Sequence, residues 1–212
     1  MSLFSKKKKN QQTTDSAGSA ALNLPDDSRV IEINKDICLT AVRNSDTHFL
    51  VQYMNDQEIF NNTLNIPNPY FESDAEWFIS TSRESDQTNQ FRTNWIIRDR
   101  HTGALMGGIG RLVKYGNNSH KDEIGYWLAK PYWNKGIMTE VVRIFCTYLQ
   151  NEHHLIRIEA YIYWFNTGSQ RVLEKSGFLQ EGVLRKFTLK GQEYRDCILF
   201  AMVKDNPAID QG

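Results

Sequence analysis

Several things are missing from this chain of 212 residues, and each absence closes off a class of function. Net charge is absent: 25 Lys and Arg balance 25 Asp and Glu. No global field therefore draws the protein to nucleic acid or to an acidic membrane, and any partner must be recognised locally. No apolar run reaches the roughly 18 residues that a membrane-spanning helix needs. The charges of Met1–Asn10 are not followed by the apolar region of a secretory signal. Cys38, Cys146 and Cys197 lie far apart without CxxC spacing, each in an apolar segment. Buried, reduced thiols are expected rather than disulfides. His153 and His154 are adjacent, so they rarely face the same way, and no Cys or carboxylate pattern joins them, so no metal is expected. They read as helix-end residues that complement the dipole. No GxxxxGK[ST] loop and no internal repeat is present. These absences imply a soluble, cytoplasmic protein with no membrane partner and no specific nucleic-acid partner.

What is present suits one fair-sized core. The composition is 40% hydrophobic, which at this length supports one domain, expected over residues 29–205. Residues 1–28 are polar and rich in small side chains, with too few large apolar groups to offset the entropy of ordering them, so a disordered tail is expected. Within it Lys6–Lys9 reads as a solvated charge run, with a nuclear address or a ribosome-facing arm as the alternatives. Residues 206–212 form a second tail.

The chain is organised around Asp122–Tyr148, DEIGYWLAKPYWNKGIMTEVVRIFCTY. The apolar run Ile124–Ala129 predicts a strand, Lys130-Pro131 opens a loop, and that loop ends at Gly136. From Ile137, the spacing of Val141, Ile144, Phe145, Tyr148 and Leu149 predicts a helix. Such a junction leaves the first amides of the helix without partners at the positive end of its dipole, where anions bind. Gly136 removes a side chain where a phosphate would approach, Lys135 adds a cation and Thr139 a hydroxyl. An ordinary glycine at a strand-to-helix turn is the plainer alternative.

Elsewhere, Val30–Val42 suggests a pair of short strands, or one strand broken at Asn34-Lys35-Asp36. Asn44-Ser45-Asp46 supplies caps for a helix through about Met54. Pro67 and Pro69 mark a loop, and Ser73-Asp74-Ala75-Glu76 reads as a capping box for a second helix. Trp95–Ile97 and Ala104–Val113 predict a hairpin whose Gly107, Gly108 and Gly110 serve close backbone packing rather than cofactor binding. Lys114–Lys121 reads as a polar loop, Arg157–Tyr163 as a strand, and Thr167–Ser176 as a short helix stopped by Gly177. Gly182–Leu189 and Glu193–Val203 form a closing hairpin. The order implies an α+β, three-layer arrangement: a mixed sheet with helices on both faces.

WNKGIMTE (Trp133–Glu140), preceded by EIGYWL (Glu123–Leu128) and followed by N-x-x-S-x-R-V-L-E-K-S-G-F (Asn166–Phe178), resembles the GNAT acyltransferases, and more narrowly their ribosomal-protein N-acetyltransferase-like branch. The resemblance runs from about Ile33 to Val203. Trp133 and Met138 depart from the first and last positions of the loop Q/R-x-x-G-x-G/A, which leaves backbone amides as its main ligands. The resemblance implies a mostly antiparallel central sheet whose two central strands splay apart, acetyl-CoA as cosubstrate and a primary amine as acceptor. The acceptor would be a protein N-terminus or a small molecule, with the loops Asn61–Tyr70 and Lys114–Lys121 deciding, and the protein a monomer or homodimer. Splaying frees ladder groups that an amide-bearing arm such as pantetheine can satisfy like an added strand. By this resemblance the cofactor contacts fall on Tyr126, Trp127, Leu128, Asn134, Lys135, Gly136, Ile137, Met138, Thr139, Asn166 and Ser169.

Acyl transfer to an amine needs a neutral amine, a stabilised oxyanion and a proton for the departing thiolate. Exposing the neutral form at pH 7 costs about 1 kcal/mol for an α-amine and about 4–5 kcal/mol for lysine. Glu123 is the expected base, acting through water, or else a solvent-facing strand-end carboxylate. Glu159 is its rival, or a structural ion-pair partner on one strand face with Arg157 and Tyr161. Ser169 is the expected acid, or a residue that only satisfies local backbone. Asn166 is a pantetheine partner or a helix cap, an amide near Tyr126–Leu128 meets the oxyanion, and Tyr161, Tyr163 and Tyr194 are spare phenols. Arg185, Lys186 and Arg195 line the acceptor side or are surface charges. Two further readings remain open: a catalytically inactive acyl-CoA-binding or interaction module with the same fold, and a nucleic-acid-associated protein that uses its lysine tail.

Overall fold

The computed structural model describes residues 29–204. Expectations for residues 1–28 and 206–212, Lys6–Lys9 included, lie outside the described residues. Near the start, β1 (Ile31–Glu32) and β2 (Ile37–Thr40) pair antiparallel. Asn34 Oδ1 accepts from the amides of Asp36 and Ile37, both at 2.9 Å, so the break expected at Asn34-Lys35-Asp36 is a turn between two strands. Three helices follow: α1 (Thr47–Met54), α2 (Gln57–Asn62) and α3 (Glu72–Asn89). Then come β3 (Asn94–Asp99), β4 (Leu105–Arg111), β5 (Lys121–Leu128), α4 (Ile137–Glu152), β6 (Arg157–Tyr163), α5 (Thr167–Lys175), β7 (Leu179–Lys190) and β8 (Glu193–Val203).

The strands form one sheet in the order β1-β2-β3-β4-β5-β6-β8-β7. Every adjacent pair is antiparallel except β5 and β6, which run parallel. That parallel pairing is brief: it joins Lys121, Asp122 and Glu123 to Arg157, Ile158 and Glu159 and then stops. Beyond it β5 stays with β4 as far as Leu128, and β6 stays with β8 as far as Tyr163. Two half-sheets therefore diverge from Glu123 and Glu159, and the facing edges of residues 124–128 and 160–163 are left open to a cleft.

Period-two alternation fills a core on each face. Trp95, Ile97, Ile124 and Ala160 pack under α4 and α5 with Val141, Phe145 and Leu173. Ile96 and Trp127 pack under α1–α3 with Leu50, Met54, Phe78 and Ile79. Close approach of Trp127 explains two glycines of β4, since a Cβ on Gly107 would stand 2.5 Å from the Trp127 carbonyl oxygen and one on Gly108 2.7 Å from its indole Nε1. All three cysteines are free and buried.

Three local expectations are corrected. α3 begins at Glu72 rather than beyond Ser73, and its box is closed by Asp74 Oδ2 accepting from the Phe71 amide at 3.0 Å. Tyr70, only 2% exposed, anchors the chain one step earlier than the polar pattern suggests. α2 lies just before the expected loop and had no counterpart in the reading. It is six residues long with Ile59 as its one buried residue, too short for a period, and Asp56 caps it by accepting from the amides of Glu58 and Ile59. His153 is not a cation complementing the α4 dipole. Burial, reinforced by Arg111 and Arg29, lowers its pKa to about 4, and its ring packs against Phe91 at 4.6 Å and Tyr148 at 5.4 Å.

Asp46 caps as expected, accepting from the Arg43 amide at 2.8 Å, and it also anchors the fold. Its carboxylate receives both terminal nitrogens of Arg98 at 2.9 Å, with side-chain exposures of 1% and 6%. Arg98 Nε also donates to Thr40 Oγ1 at 3.0 Å, so one buried pair ties β2, β3 and the start of α1 together. Removing one partner leaves an uncompensated buried charge. Asp46→Asn should lower stability by about 3–5 kcal/mol in urea unfolding. Acid should weaken the fold through His153, because the unfolded chain takes up a proton near pH 6.5 that the folded chain refuses until about 4. Stability therefore falls as pH drops through that window, and His153→Gln should flatten the slope.

Candidate active site

A cleft of about 700 Å³ opens where β5 and β6 part. Its walls come from β5, β6, the loop into α4, the first turns of α4 and α5, and the end of α2 with the segment after it. The cleft passes through the sheet. Ala160 and Ile162 of β6 pack with α4 and α5, so by alternation Tyr161 and Tyr163 face the α1–α3 side.

On the α4 and α5 side the geometry suits an anion. Gly136 caps α4 in the left-handed region at φ 74°, ψ −4°, and Asn134 is also left-handed at φ 60°. This turn presents the amides of Ile137, Met138 and Thr139, which have no acceptor within the helix, to the cleft. A Cβ at Gly136 would meet nothing within 4 Å, so the space over those amides stays clear. Met138 is 5% exposed and its side chain belongs to the core, which leaves its backbone facing outward. Trp133, at the loop's departing first position, donates its indole N–H to the Leu128 carbonyl at 2.6 Å. It closes the end of β5 and forms part of the cleft wall there. Lys135, Arg171 and Lys175 line the same region. Arg171 and Lys175 are not among the expected contacts, although their i, i+4 spacing puts them on one face of α5.

Where the strands part, Ser169 Oγ donates to Tyr126 Oη at 3.1 Å, and Tyr126 Oη donates to the Ser169 carbonyl at 3.4 Å. Burial pushes the Tyr126 phenol well above its usual range, so it stays protonated. The reading placed Tyr126 here for its backbone and overlooked this hydroxyl. Asn166 Oδ1 accepts from the Ser169 amide at 3.1 Å, so Asn166 caps α5 and fixes Ser169 in the first turn. Trp127 is 5% exposed, with its ring in the α1–α3 core, and Leu128 lines the cleft.

Glu123 is not a solvent-facing carboxylate. It is 0% exposed, sits at the fork itself, and receives Lys114 Nζ at 2.5 Å. It does not line the cleft, and Lys114 also lies 5.6 Å from the centre of the Tyr161 ring. Glu159 accepts from Arg157 at 2.6 Å, Tyr161 at 3.0 Å and Tyr115 at 3.4 Å. Although burial alone would raise it, Arg157 and Tyr161 hold its carboxyl below the usual range, which fits an ion-pair partner. The loop Lys114–Lys121 was expected to shape the pocket, yet none of it lines the cleft. Lys114 and Tyr115 turn onto Glu123 and Glu159 instead. Tyr194 is 62% exposed and, like Arg185 and Lys186, lies away from the cleft. Among the described residues no group of three or more His, Cys, Asp or Glu is placed to hold a metal, and no helix is long and apolar enough to cross a membrane.

A parted sheet with an anion-binding helix start beside the gap is an acyltransferase architecture, and the chain belongs to the GNAT acetyltransferases: residues 36–179 match the family described as Acetyltransferase (GNAT) domain. It is 54% identical over 63 residues to the Probable N-acetyltransferase YjcK of Bacillus subtilis (strain 168), a span covering 30% of this chain and 35% of that one. The first curated relatives are matched over 35%, 62% and 56% of their own lengths. Among solved structures, a GNAT-family acetyltransferase from Bacillus anthracis superposes with a TM-score of 0.71 at 26% identity, covering 82% of this chain and 98% of that one. RimL, a ribosomal L7/L12 alpha-N-protein acetyltransferase solved with coenzyme A, shares the fold with a TM-score of 0.72 at 16% identity, over 84% and 99% of the two chains.

The role of Asn166 as a cap is directly measurable. Asn166→Ala should cost about 1 kcal/mol in chemical denaturation, whereas Asn166→Ser should retain most of that stability.

Proposed function

We propose that the protein is an acetyl-CoA-dependent N-acetyltransferase that works by direct attack of a bound primary amine on the thioester. The observation that carries this reading is the continuity of the cleft. Open strand edges at residues 124–128 and 160–163 lead to the amides of Ile137–Thr139, with Lys135, Arg171 and Lys175 beside them. An amide-bearing arm pairs with such edges, and a diphosphate suits such amides and cations.

Acetyl-CoA supplies the activated acyl carbon; the chain's own residues supply position and protons. Ser169 Oγ turns its proton from Tyr126 Oη, its partner at 3.1 Å, to the departing sulfur, and Tyr126 then turns its own proton from the Ser169 carbonyl to Oγ. A backbone amide on the open edge near Tyr126–Leu128 meets the oxyanion. Glu123 takes the amine proton through a water, since its carboxylate stands behind the lining rather than in it. The acceptor is a weakly basic primary amine, on a peptide N-terminus or a small molecule. The names of YjcK and RimL support amine chemistry without choosing between those two. One observation favours a non-catalytic acyl-CoA-binding module instead: Glu123 is sealed by Lys114.

Calorimetry with coenzyme A and a mass-resolved screen of peptides and small amines with acetyl-CoA test the reading. Coenzyme A should bind the wild type, and Gly136→Val should weaken it by about tenfold or more, because a Cβ forces a left-handed site and fills the space above the amides. Ser169→Ala should lower kcat by about a hundredfold, more than it weakens coenzyme A binding, and Tyr126→Phe should lower kcat less. No heat with coenzyme A would remove the whole assignment; binding without any acetylated product would leave the non-catalytic module.

A further inference from the structure

The α1–α3 face of the cleft has two walls that belong to distant parts of the chain. One is the end of α2 and the segment after it, where Asn61, Asn62, Thr63 and Leu64 line the cleft; the other is Tyr161, Tyr163 and Phe165, on and just after β6. Two cations of the β7–β8 hairpin, neither of them lining the cleft, join these walls from outside. Arg195 Nη1 donates to the Asn61 carbonyl at 3.1 Å, while its guanidinium lies 5.1 Å from the Tyr163 ring centre and 5.6 Å from that of Phe165. Glu193 holds the same guanidinium at 2.8 Å. Lys190 Nζ donates to the carbonyls of Phe60 and Thr63, the latter at 2.5 Å, and stands 3.6 Å from the Phe60 ring centre.

These acceptors lie at the end of α2, where the amide and hydroxyl of Thr63 also donate to the Phe60 carbonyl, each at 3.3 Å. α2 is too short to be held by its own ladder, and it ends there without a basic residue in its last turn. The hairpin supplies charged donors to this end from outside the helix. Burial, with Arg195 as a lesser contributor, lowers the Lys190 pKa to about 8, as befits an ammonium drawn out of water onto carbonyls rather than a solvated surface charge.

Resting on the acetyltransferase reading above, we infer that Lys190 and Arg195 form a strap that fixes the width of the acceptor mouth and so determines which amines reach the thioester. Neither residue touches the reacting atoms; both act by holding the wall formed by Asn61–Leu64. Cutting the strap lets that wall move outward, so a slender acceptor loses positioning while a wide one gains entry.

The test uses the full chain and its Lys190→Met, Lys190→Arg and Arg195→Met variants. Hydrogen exchange of the amides of residues 57–64 is the first readout and needs no substrate. It should quicken about tenfold in Lys190→Met and Arg195→Met, the equivalent of one lost charge-assisted hydrogen bond, and return toward wild type in Lys190→Arg. Unchanged exchange in both Met variants would overturn the strap. The second readout is coenzyme A thiol release with glycinamide as a slender acceptor probe and a benzylamine carrying ring substituents as a wide one. Acceptor KM for glycinamide should rise about tenfold with kcat nearly constant and acetyl-CoA KM unchanged, while the wide probe improves relative to it. Equal effects on both probes would reduce the strap to a stabilising contact and refute its part in selection. Faster exchange in variants of a wild type that binds no coenzyme A would instead mean that the strap exists and the acetyltransferase reading has failed.

Discussion

One short parallel pairing governs this structure. Three residues of β5 meet three of β6, and from Glu123 and Glu159 onward each strand keeps only its outer neighbour. Each half-sheet is held by its own ladder and covered on the α4–α5 side by the same core, so the gap can persist without the fold coming apart. Its cost is a run of backbone groups on two facing edges with no strand between them, which is tolerable only where water or a ligand can reach them. The cleft is where that requirement is met, and the loop into α4 brings the helix start to it. Trp133 shows how closely the exposed backbone is managed, since its indole N–H covers the Leu128 carbonyl at the point where β5 ends.

The two faces of the sheet divide the work on physical grounds. On the α4–α5 side the features are electrostatic: free helix amides, a left-handed glycine and three cations. On the α1–α3 side they are features of shape: tyrosine and phenylalanine rings facing the end of a six-residue helix. That helix would have little stability alone. Asp56 caps its start and two hairpin cations meet its end, so the wall proposed to meet the acceptor is set by residues far away in sequence.

Much of this could be read from the residues, and the failures share a cause. The strand-loop-helix passage at Asp122–Tyr148 was legible because its period changes from two to three and four around a glycine, which is a local signal. β6 was legible to the residue for the same reason. Glu123 was legible as a strand-end carboxylate, but its place at the fork and its burial under Lys114 depend on how the loop before β5 folds back, which no local pattern encodes. Tyr126 was placed by its neighbours and not by its hydroxyl, because the partner, Ser169, lies 43 residues away. α2 was lost because a single buried residue cannot define a period. Asp46 was legible as a cap by type and position, which it is, but only the tertiary structure brings Arg98 to it.

The distribution of carboxylates bears on which amine the cleft can serve. Among the described residues that line it, Glu58 alone carries one, and Glu58 is paired with Lys130. Glu123 stands behind the wall against Lys114, and Glu159 is committed to Arg157 and two phenols. Among the described residues no unpaired carboxylate lines the cleft, so in the proposed reaction deprotonation has to rest mainly on the amine's own acidity. For an ordinary lysine side chain that demand is about 4–5 kcal/mol at pH 7, and for an α-amine about 1 kcal/mol. A weak base acting through one water can meet the second and not the first. The sealing of Glu123 thus restricts the proposed chemistry to weakly basic amines, an electrostatic filter that works alongside the width of the mouth.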